Sequence, residues 1–285
     1  MTDPTRGLAD VRLEVASATD VGHKRAVNED SLLAELPIFI VADGMGGHEA
    51  GDKASAAVVE AFAQLLGGEP VTIDDVTQAV ENAHDAVEGI AEFTTRGAGS
   101  TLTGVVLVEH ADTPQWLVVN VGDSRVYRTH ASDLAQLTID HSVVAQLVAD
   151  GTLRPEEAAT YVGRNVITRA VGSPESPPDF WLHPLVTGER LLICSDGLTG
   201  ELDDETIRAV LTSDASVQQV ADDLLQRALE SGGRDNVTLI VIEVVAGGLE
   251  ATDPSLEEIN TETTEVRVND TVEVPARKGR PPLGE

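Results

Sequence analysis

Cysteine is nearly absent: Cys194 is the only one in 285 residues. No disulfide can close within the chain, which fits a reducing compartment. Aromatic residues are scarce too, at 3%, so burial falls to Val, Leu, Ile and Ala. Positive charge is short, with 19 Lys and Arg against 49 Asp and Glu and a formal net charge of -30. Such a surface repels phosphate backbones and anionic lipid, which argues against nucleic-acid and membrane partners. It is compatible with drawing in divalent cations. No apolar run reaches the ~18 residues that span a bilayer. The opening MTDPTRGLAD has neither the basic nor the apolar region of a signal peptide. These absences together predict a cytoplasmic location.

What is present is a chain long enough for a sizeable core, with 41% hydrophobic residues. VRLEVA alternates as a half-buried strand does, and PIFIVAD, STLTGVVLVEH, QWLVVNVGD, RVYRTH, RLLICSD and VTLIVIEVV are Val- and Ile-rich strand candidates. Ala54, Val58, Ala61, Phe62 and Leu65 repeat at helical spacing, as do Ile73, Val76, Val80, Ala83 and Val87. A third helix follows a capping box at Ser216 and Gln219 and stops at Gly232-Gly233, and a fourth starts at Asp203 or Asp204. Strands come in consecutive groups rather than alternating with helices, which predicts an α+β sandwich of antiparallel sheet with helices outside. The expected organisation is a flexible N-terminus over residues 1–10, a folded domain over 11–246, and a disordered acidic tail over 247–285, where Thr, Glu and Pro replace large apolar residues.

Acidic residues punctuate the strands. Asp43 ends the run Ile38 to Val41, Asp123 follows Leu117 to Val121, Asp196 follows Leu191 to Ile193, and Asp235 precedes the strand opening at Val237. Glu29 and Asp30 are placed near the end of the first strand. Strand ends on one edge of a sandwich converge even when far apart in sequence. Two unit charges ~4 Å apart at an effective dielectric of ~20 repel by roughly 4 kcal/mol, so such a cluster needs a cation. Carboxylates and carbonyls suit Mg²⁺, Mn²⁺ or Ca²⁺, and His and Cys are missing at zinc spacing. Gly44, Gly46 and Gly47 would let the turn take φ > 0 and bring carbonyls close to an ion. Arg25, four residues before Glu29, could grip a phosphate with two parallel hydrogen bonds.

RAVNED, VADGMGGHEAG, GSTLTGVVL, VGDSRVY, TIDHS, ITRAVG, ICSDGL and GGRDNVTLIVI stand in the order found in metal-dependent type 2C Ser/Thr protein phosphatases, and the chain resembles a bacterial member of that family from about Val15 to Val245. The resemblance implies a four-layer α-β-β-α sandwich, two antiparallel sheets flanked by helix pairs. It implies hydrolysis of phosphoserine and phosphothreonine by direct attack of a water bridging two Mn²⁺ or Mg²⁺ ions. Carried over motif by motif, Asp43 bridges both ions, the Gly44 carbonyl binds one, and Asp196 and Asp235 bind the other. Glu29 holds metal-bound water with Asp30 behind it, and Arg25 holds the phosphate. Asp123 with Asp196 resembles the ligands of a third ion. Arg25, Asp43 and Asp235 are thus the catalytic candidates. The partners implied are phosphorylated proteins, Ser/Thr kinases and the substrates of those kinases.

Met45 stands where many eukaryotic members carry a histidine proposed as general acid, so that residue cannot protonate a leaving group here. SVVAQLVADGTLRPEEAATYVGRN aligns with the family's mobile flap and offers no identifiable flap ligand. Ser100, Ser124 and Ser195 lack a histidine partner and read as turn or supporting residues, and Cys194 reads as a small core residue. Two alternatives share the fold: a non-catalytic phosphoprotein-binding module, which the intact Asp43, Asp196, Asp235 and Arg25 oppose, and a hydrolase of small phosphoesters. In the tail, TETTEV, Thr261 to Val266, resembles phosphothreonine segments read by forkhead-associated domains.

Overall fold

A computed structural model of the chain describes residues 8–46, 50–68, 70–95, 97–130, 132–158 and 160–250, and the backbone of two short segments at 264–265 and 274–275. In chain order the elements are β1 (Arg12–Asp20), β2 (Asp30–Glu35), β3 (Ile38–Gly46), α1 (Gly51–Ala63), α2 (Ile73–Ala91), β4 (Ala98–Ser100), β5 (Leu102–His110), β6 (Thr113–Val121), β7 (Arg125–His130) and β8 (Asp133–Gln136). They continue with α3 (Val143–Ala149), α4 (Pro155–Ala158), β9 (Asp179–Pro184), β10 (Arg190–Cys194), α5 (Asp196–Thr199), α6 (Asp204–Leu211), α7 (Val217–Ser231), β11 (Val237–Ala246), β12 (Thr264–Glu265) and β13 (Val274–Pro275).

Two antiparallel sheets form. One runs β1-β11-β10-β7-β8; the other runs β13-β12-β9-β6-β5-β3-β2, with β4 on β3. Strand β3 explains why its sequence is apolar throughout rather than alternating. Ile38, Ile40 and Ala42 share a buried cluster with Val58 and Phe62 of α1, which Val76, Val80 and Val87 of α2 complete, while Phe39 and Val41 face the second sheet. Strand β11 is buried twice in the same way: Leu239 and Val241 meet Ile207, Val220 and Leu224 of α6 and α7, and Ile240 and Ile242 point between the sheets. The four expected layers, α-β-β-α, follow from this double burial. Each such Val, Leu or Ile side chain contributes about 1.5–3 kcal/mol when fully buried.

The capping box at Ser216 and Gln219 is present, and Asp203 caps α6 by accepting from Thr206 N–H at 2.9 Å. Strands β2, β8 and β9 add to the sequence reading, because DSLLAE, DLAQ and DFWLHP carry too little pattern to stand out. Asp30 therefore opens β2, with Glu29 just before it, instead of both closing β1. Ordered structure also extends past 11–246 at both ends. Leu8–Asp10 form a 3-10 turn whose Leu8 packs on the inter-sheet core, and Leu249 N–H donates to the Leu185 carbonyl at 2.8 Å. In the expected tail, Thr264–Glu265 pair with Leu182 and Trp181 of β9; its remainder beyond Glu250, apart from Val274–Pro275, lies outside the described residues, as do residues 1–7. Among the described residues no helix is long and apolar enough to cross a membrane.

Candidate active site

The acidic punctuation gathers at one end of the sandwich. Asp43 lies on β3 directly opposite Asp30 on β2. Asp123 follows β6, Asp196 opens α5 after β10, and Asp235 precedes β11. Neighbouring strands run antiparallel, so alternate ends supply these residues to a single cleft. The electrostatics register the convergence. Burial, and then the charges of Asp30, Asp196, Asp123 and Asp235, hold the Asp43 carboxyl well above the usual carboxylate range. Burial, with Asp196 and Asp140 nearby, pushes Asp123 up to about 7. Asp30 is pushed up to about 6, chiefly by burial and against hydrogen bonds from Thr238 and Ser195. Asp196 is raised by burial and by Asp235, with the Asp43 carboxyl close enough to pull the other way. Arg25 supplies positive charge on the rim: its Nη2 donates to Asp235 Oδ2 at 2.7 Å, and that bond raises its pKa.

Backbone and hydroxyl groups fix these acids. Asp43 N–H donates to Thr101 Oγ1 at 2.9 Å, and its carbonyl accepts from Thr101 N–H at 2.8 Å and Ser100 Oγ at 3.1 Å. Thr101 Oγ1 also meets Ser124 Oγ at 2.8 Å, so one buried hydroxyl pair ties the Asp43 strand to the loop carrying Asp123. Ser195 Oγ donates to Asp30 Oδ2 at 2.9 Å, and Ser55 Oγ donates to the Glu29 carbonyl at 2.6 Å. Arg125, the arginine of VGDSR, makes a two-pronged pairing with Asp140, and its charge partly offsets the rise at Asp123. Thr101 and Ser55 fall outside the acidic punctuation. The clue to Thr101 was a hydroxyl pair, Ser100-Thr101, at the mouth of an apolar strand.

Residues Ser142 to Asn165 contain α3 and α4, and their base is clasped where Val143 N–H donates to the Val166 carbonyl and Thr168 N–H to the His141 carbonyl. Cys194 is fully buried, and burial pushes its thiol up to about 12.

Whether this site suits divalent ions can be asked of its donors. Among the described residues, no group of three or more His, Cys, Asp and Glu side chains stands in ready-made ion-holding geometry. One candidate, Asp235, is held instead by Arg25. The donor chemistry nonetheless fits hard cations. Several carboxyls raised by one another carry a repulsion that a divalent charge would relieve, and Asp30 Oδ1 is buried without a hydrogen-bond partner. The backbone fits as well. A Cβ on Gly44 would overlap the Gly51 carbonyl, and a Cβ on Gly51 would overlap Glu29 Oε1 and sit 2.9 Å from the Gly44 carbonyl oxygen. That absence of side chains leaves the Gly44 carbonyl and the Glu29 carboxylate side by side. The freedom expected at Gly44 is thus one of close approach, since only Gly46 among the described glycines of the turn has positive φ, at 158°; Gly47 lies outside the described residues.

Residues 22–237 match the protein family described as Protein phosphatase 2C. The chain belongs to the protein phosphatase 2C family. It is 37% identical over 248 residues to the serine/threonine protein phosphatase PstP of Mycobacterium tuberculosis, an alignment covering 86% of this chain and 47% of PstP. It therefore spans about half the length of that relative. It is 34% identical to the protein phosphatase PhpP of Streptococcus pneumoniae, over 81% of this chain and 98% of PhpP. Among solved structures, the PstP catalytic domain in complex with two manganese ions superposes with a TM-score of 0.75 at 36% identity, covering 83% of this chain and 100% of the other. The phosphatase MsPP from Mycobacterium smegmatis in complex with cacodylate superposes with a TM-score of 0.74 at 35% identity, over 81% and 97%. The protein phosphatase 2C match begins at the loop before Arg25 and ends at the start of β11, so it contains every acid of the cleft.

Proposed function

We propose that this chain is a Mn²⁺- or Mg²⁺-dependent protein phosphatase that hydrolyses phosphoserine and phosphothreonine. The observation that carries the reading is that Asp43, Asp196 and Asp235 share one cleft with Arg25 at its rim. Two divalent ions, when bound, supply charge for the phosphoryl oxygens and make water acidic enough to act as nucleophile near neutral pH. Asp43, Asp196, Asp235 and the Gly44 carbonyl would hold them, with Glu29 and Asp30 alongside and Asp123 with Asp196 at a third position.

The remaining roles follow from the chain's own groups. Arg25 has five N–H donors, of which Asp235 engages one nitrogen; the guanidinium fork matches a phosphate bidentately. Among the described residues of the site no protein nucleophile is offered. Ser100, Ser124 and Ser195 are engaged by Asp43, Thr101 and Asp30, and the Cys194 thiol is sealed in the core. Water is left to attack phosphorus. Met45 has no ionisable proton, so the leaving alkoxide takes its proton from water too.

The substrates would be phosphorylated proteins, including Ser/Thr kinases and their targets, in the cytoplasm. Thr263 and Thr264 would be kinase sites read, once phosphorylated, by a forkhead-associated domain; mass spectrometry after kinase treatment should find them modified, and unmodified threonines would remove that part of the reading. The enzymatic reading is tested by phosphopeptide turnover, its loss in EDTA and its return with Mn²⁺. Turnover indifferent to EDTA would overturn it, and a strong preference for small phosphoesters over phosphopeptides would replace it with metabolite hydrolysis.

A further inference from the structure

The segment that carries Arg25 has almost nothing apolar to hold it. Residues 21–29 form turns and bends, Arg25 is exposed, and Val27 is 57% exposed. Besides the bonds of Gly22 N–H to Asp20 Oδ1 and of Asn28 Nδ2 to Thr19 Oγ1, one buried amide spans the segment. Asn236 Oδ1 accepts from Glu29 N–H at 2.8 Å, and Asn236 Nδ2 donates to the Val21 carbonyl at 2.9 Å and the Val27 carbonyl at 3.0 Å. Those three bonds span the segment from its entry to its exit. Only a side chain with one acceptor and two donors on the same amide satisfies them. The Asn236 backbone reaches the site as well, since its N–H donates to Asp235 Oδ1 at 2.8 Å while Arg25 donates to Asp235 Oδ2. Around this clamp the two loops touch closely: His23 N–H donates to the Gly233 carbonyl at 2.7 Å, and Gly22, at φ 73°, leaves no room for a Cβ against the Asp235 carbonyl.

We propose that Asn236 is a positioning residue for the phosphate-gripping arginine, holding the 21–29 segment so that Arg25 meets the cleft beside Asp235. This rests on the phosphatase reading above. Hydrogen-bond partners that orient a metal ligand typically matter by about 10- to 100-fold, and a partner that orients a phosphate-binding arginine is expected in the same range. Asn236→Ala should therefore raise KM for a phosphopeptide at saturating Mn²⁺ by about tenfold or more, with a smaller change in kcat. Asn236→Asp keeps the acceptor for Glu29 N–H but turns both donations into repulsion, so it should be impaired at least as much.

A general loss of structure would add to any other defect, whereas a residue acting through Arg25 should matter little once the arginine is gone. In an Arg25→Ala background, Asn236→Ala should change kcat/KM by less than about threefold. Full additivity of the two substitutions, or an Asn236→Asp enzyme with wild-type KM, would overturn the proposal. Amide hydrogen exchange gives a readout independent of turnover. Glu29 N–H should be protected in the wild type and exchange faster in Asn236→Ala. An unprotected Glu29 amide in the wild type would overturn the clamp even if that variant failed to fold. A wild type without metal-dependent turnover would remove the phosphatase reading instead, while the exchange result would still decide the clamp.

Discussion

Glu189 offers a measurement whose size follows from its surroundings. It lies in the turn before β10, fully buried at the end of the inter-sheet core, and its Oε1 accepts from Trp116 Nε1 at 2.9 Å and Val186 N–H at 3.0 Å. Oε2 has no hydrogen-bond partner. Burial pushes the carboxyl up to about 7 from an ordinary 4.5, against the pull of those two bonds and of the Arg128 charge. Between these values the folded state keeps a proton that the unfolded state has released. Stability contributed by this group is complete below pH 4.5 and is lost as pH rises through 7. At about 1.4 kcal/mol per pH unit, the loss is about 3 kcal/mol. Glu189→Gln is nearly isosteric, retains an oxygen for Trp116 and Val186, and cannot ionise. Urea unfolding of both proteins, followed by tryptophan fluorescence at pH 5 and pH 8 with metal held constant, isolates the effect because other titrations cancel in the difference. Because pH 5 already lies above 4.5, the glutamine variant should gain about 2–3 kcal/mol on the wild type between the two conditions, a little less than the full loss. A difference independent of pH would show that Glu189 is ionised in the fold, with Arg128 compensating its charge, and would refute the reasoning.

Three further outcomes test the site. Asp43→Asn and Asp235→Asn should each lower Mn²⁺-dependent turnover of p-nitrophenyl phosphate by ~100-fold or more if they hold the ions as proposed, since changing only the hydrogen-bond partners of a metal ligand costs ~10–100-fold; full activity in Asp43→Asn would exclude a role for that carboxylate. Arg25→Ala should act mainly on KM for phosphopeptides and leave kcat closer to wild type, as steady-state kinetics would reveal. Ser195→Ala removes the hydroxyl that Asp30 Oδ2 and Thr238 N–H share, so it should destabilise the protein by about 1–3 kcal/mol in denaturant titration.

The helices α1, α2 and α7 were legible because each buries a single stripe, which leaves a 3.6-residue imprint on the sequence. The central strands were legible as apolar runs, since β3 and β11 are covered on both faces. Strand β9 was not. Its Asp179, His183 and Pro184 look like loop residues, and they became strand only because β6 lies alongside. The same limit hid Thr101, an ordinary residue in sequence whose work depends on a partner 58 positions away. Ser195 was legible as a turn or supporting residue, but its partner Asp30, 165 positions away, was not.

Composition and pattern alone determined the α+β class, the helix caps, and the list of acids that could hold a cation, because those depend on local spacing and on residue chemistry. The tertiary structure decided which of those acids meet. It set Asp30 across from Asp43, drew Asp235 onto Arg25, and placed the Asn236 amide under the arginine's loop. Charges interact over a few ångströms, whereas these residues are separated by tens to hundreds of positions along the chain, and only the antiparallel return of the strands closes that distance.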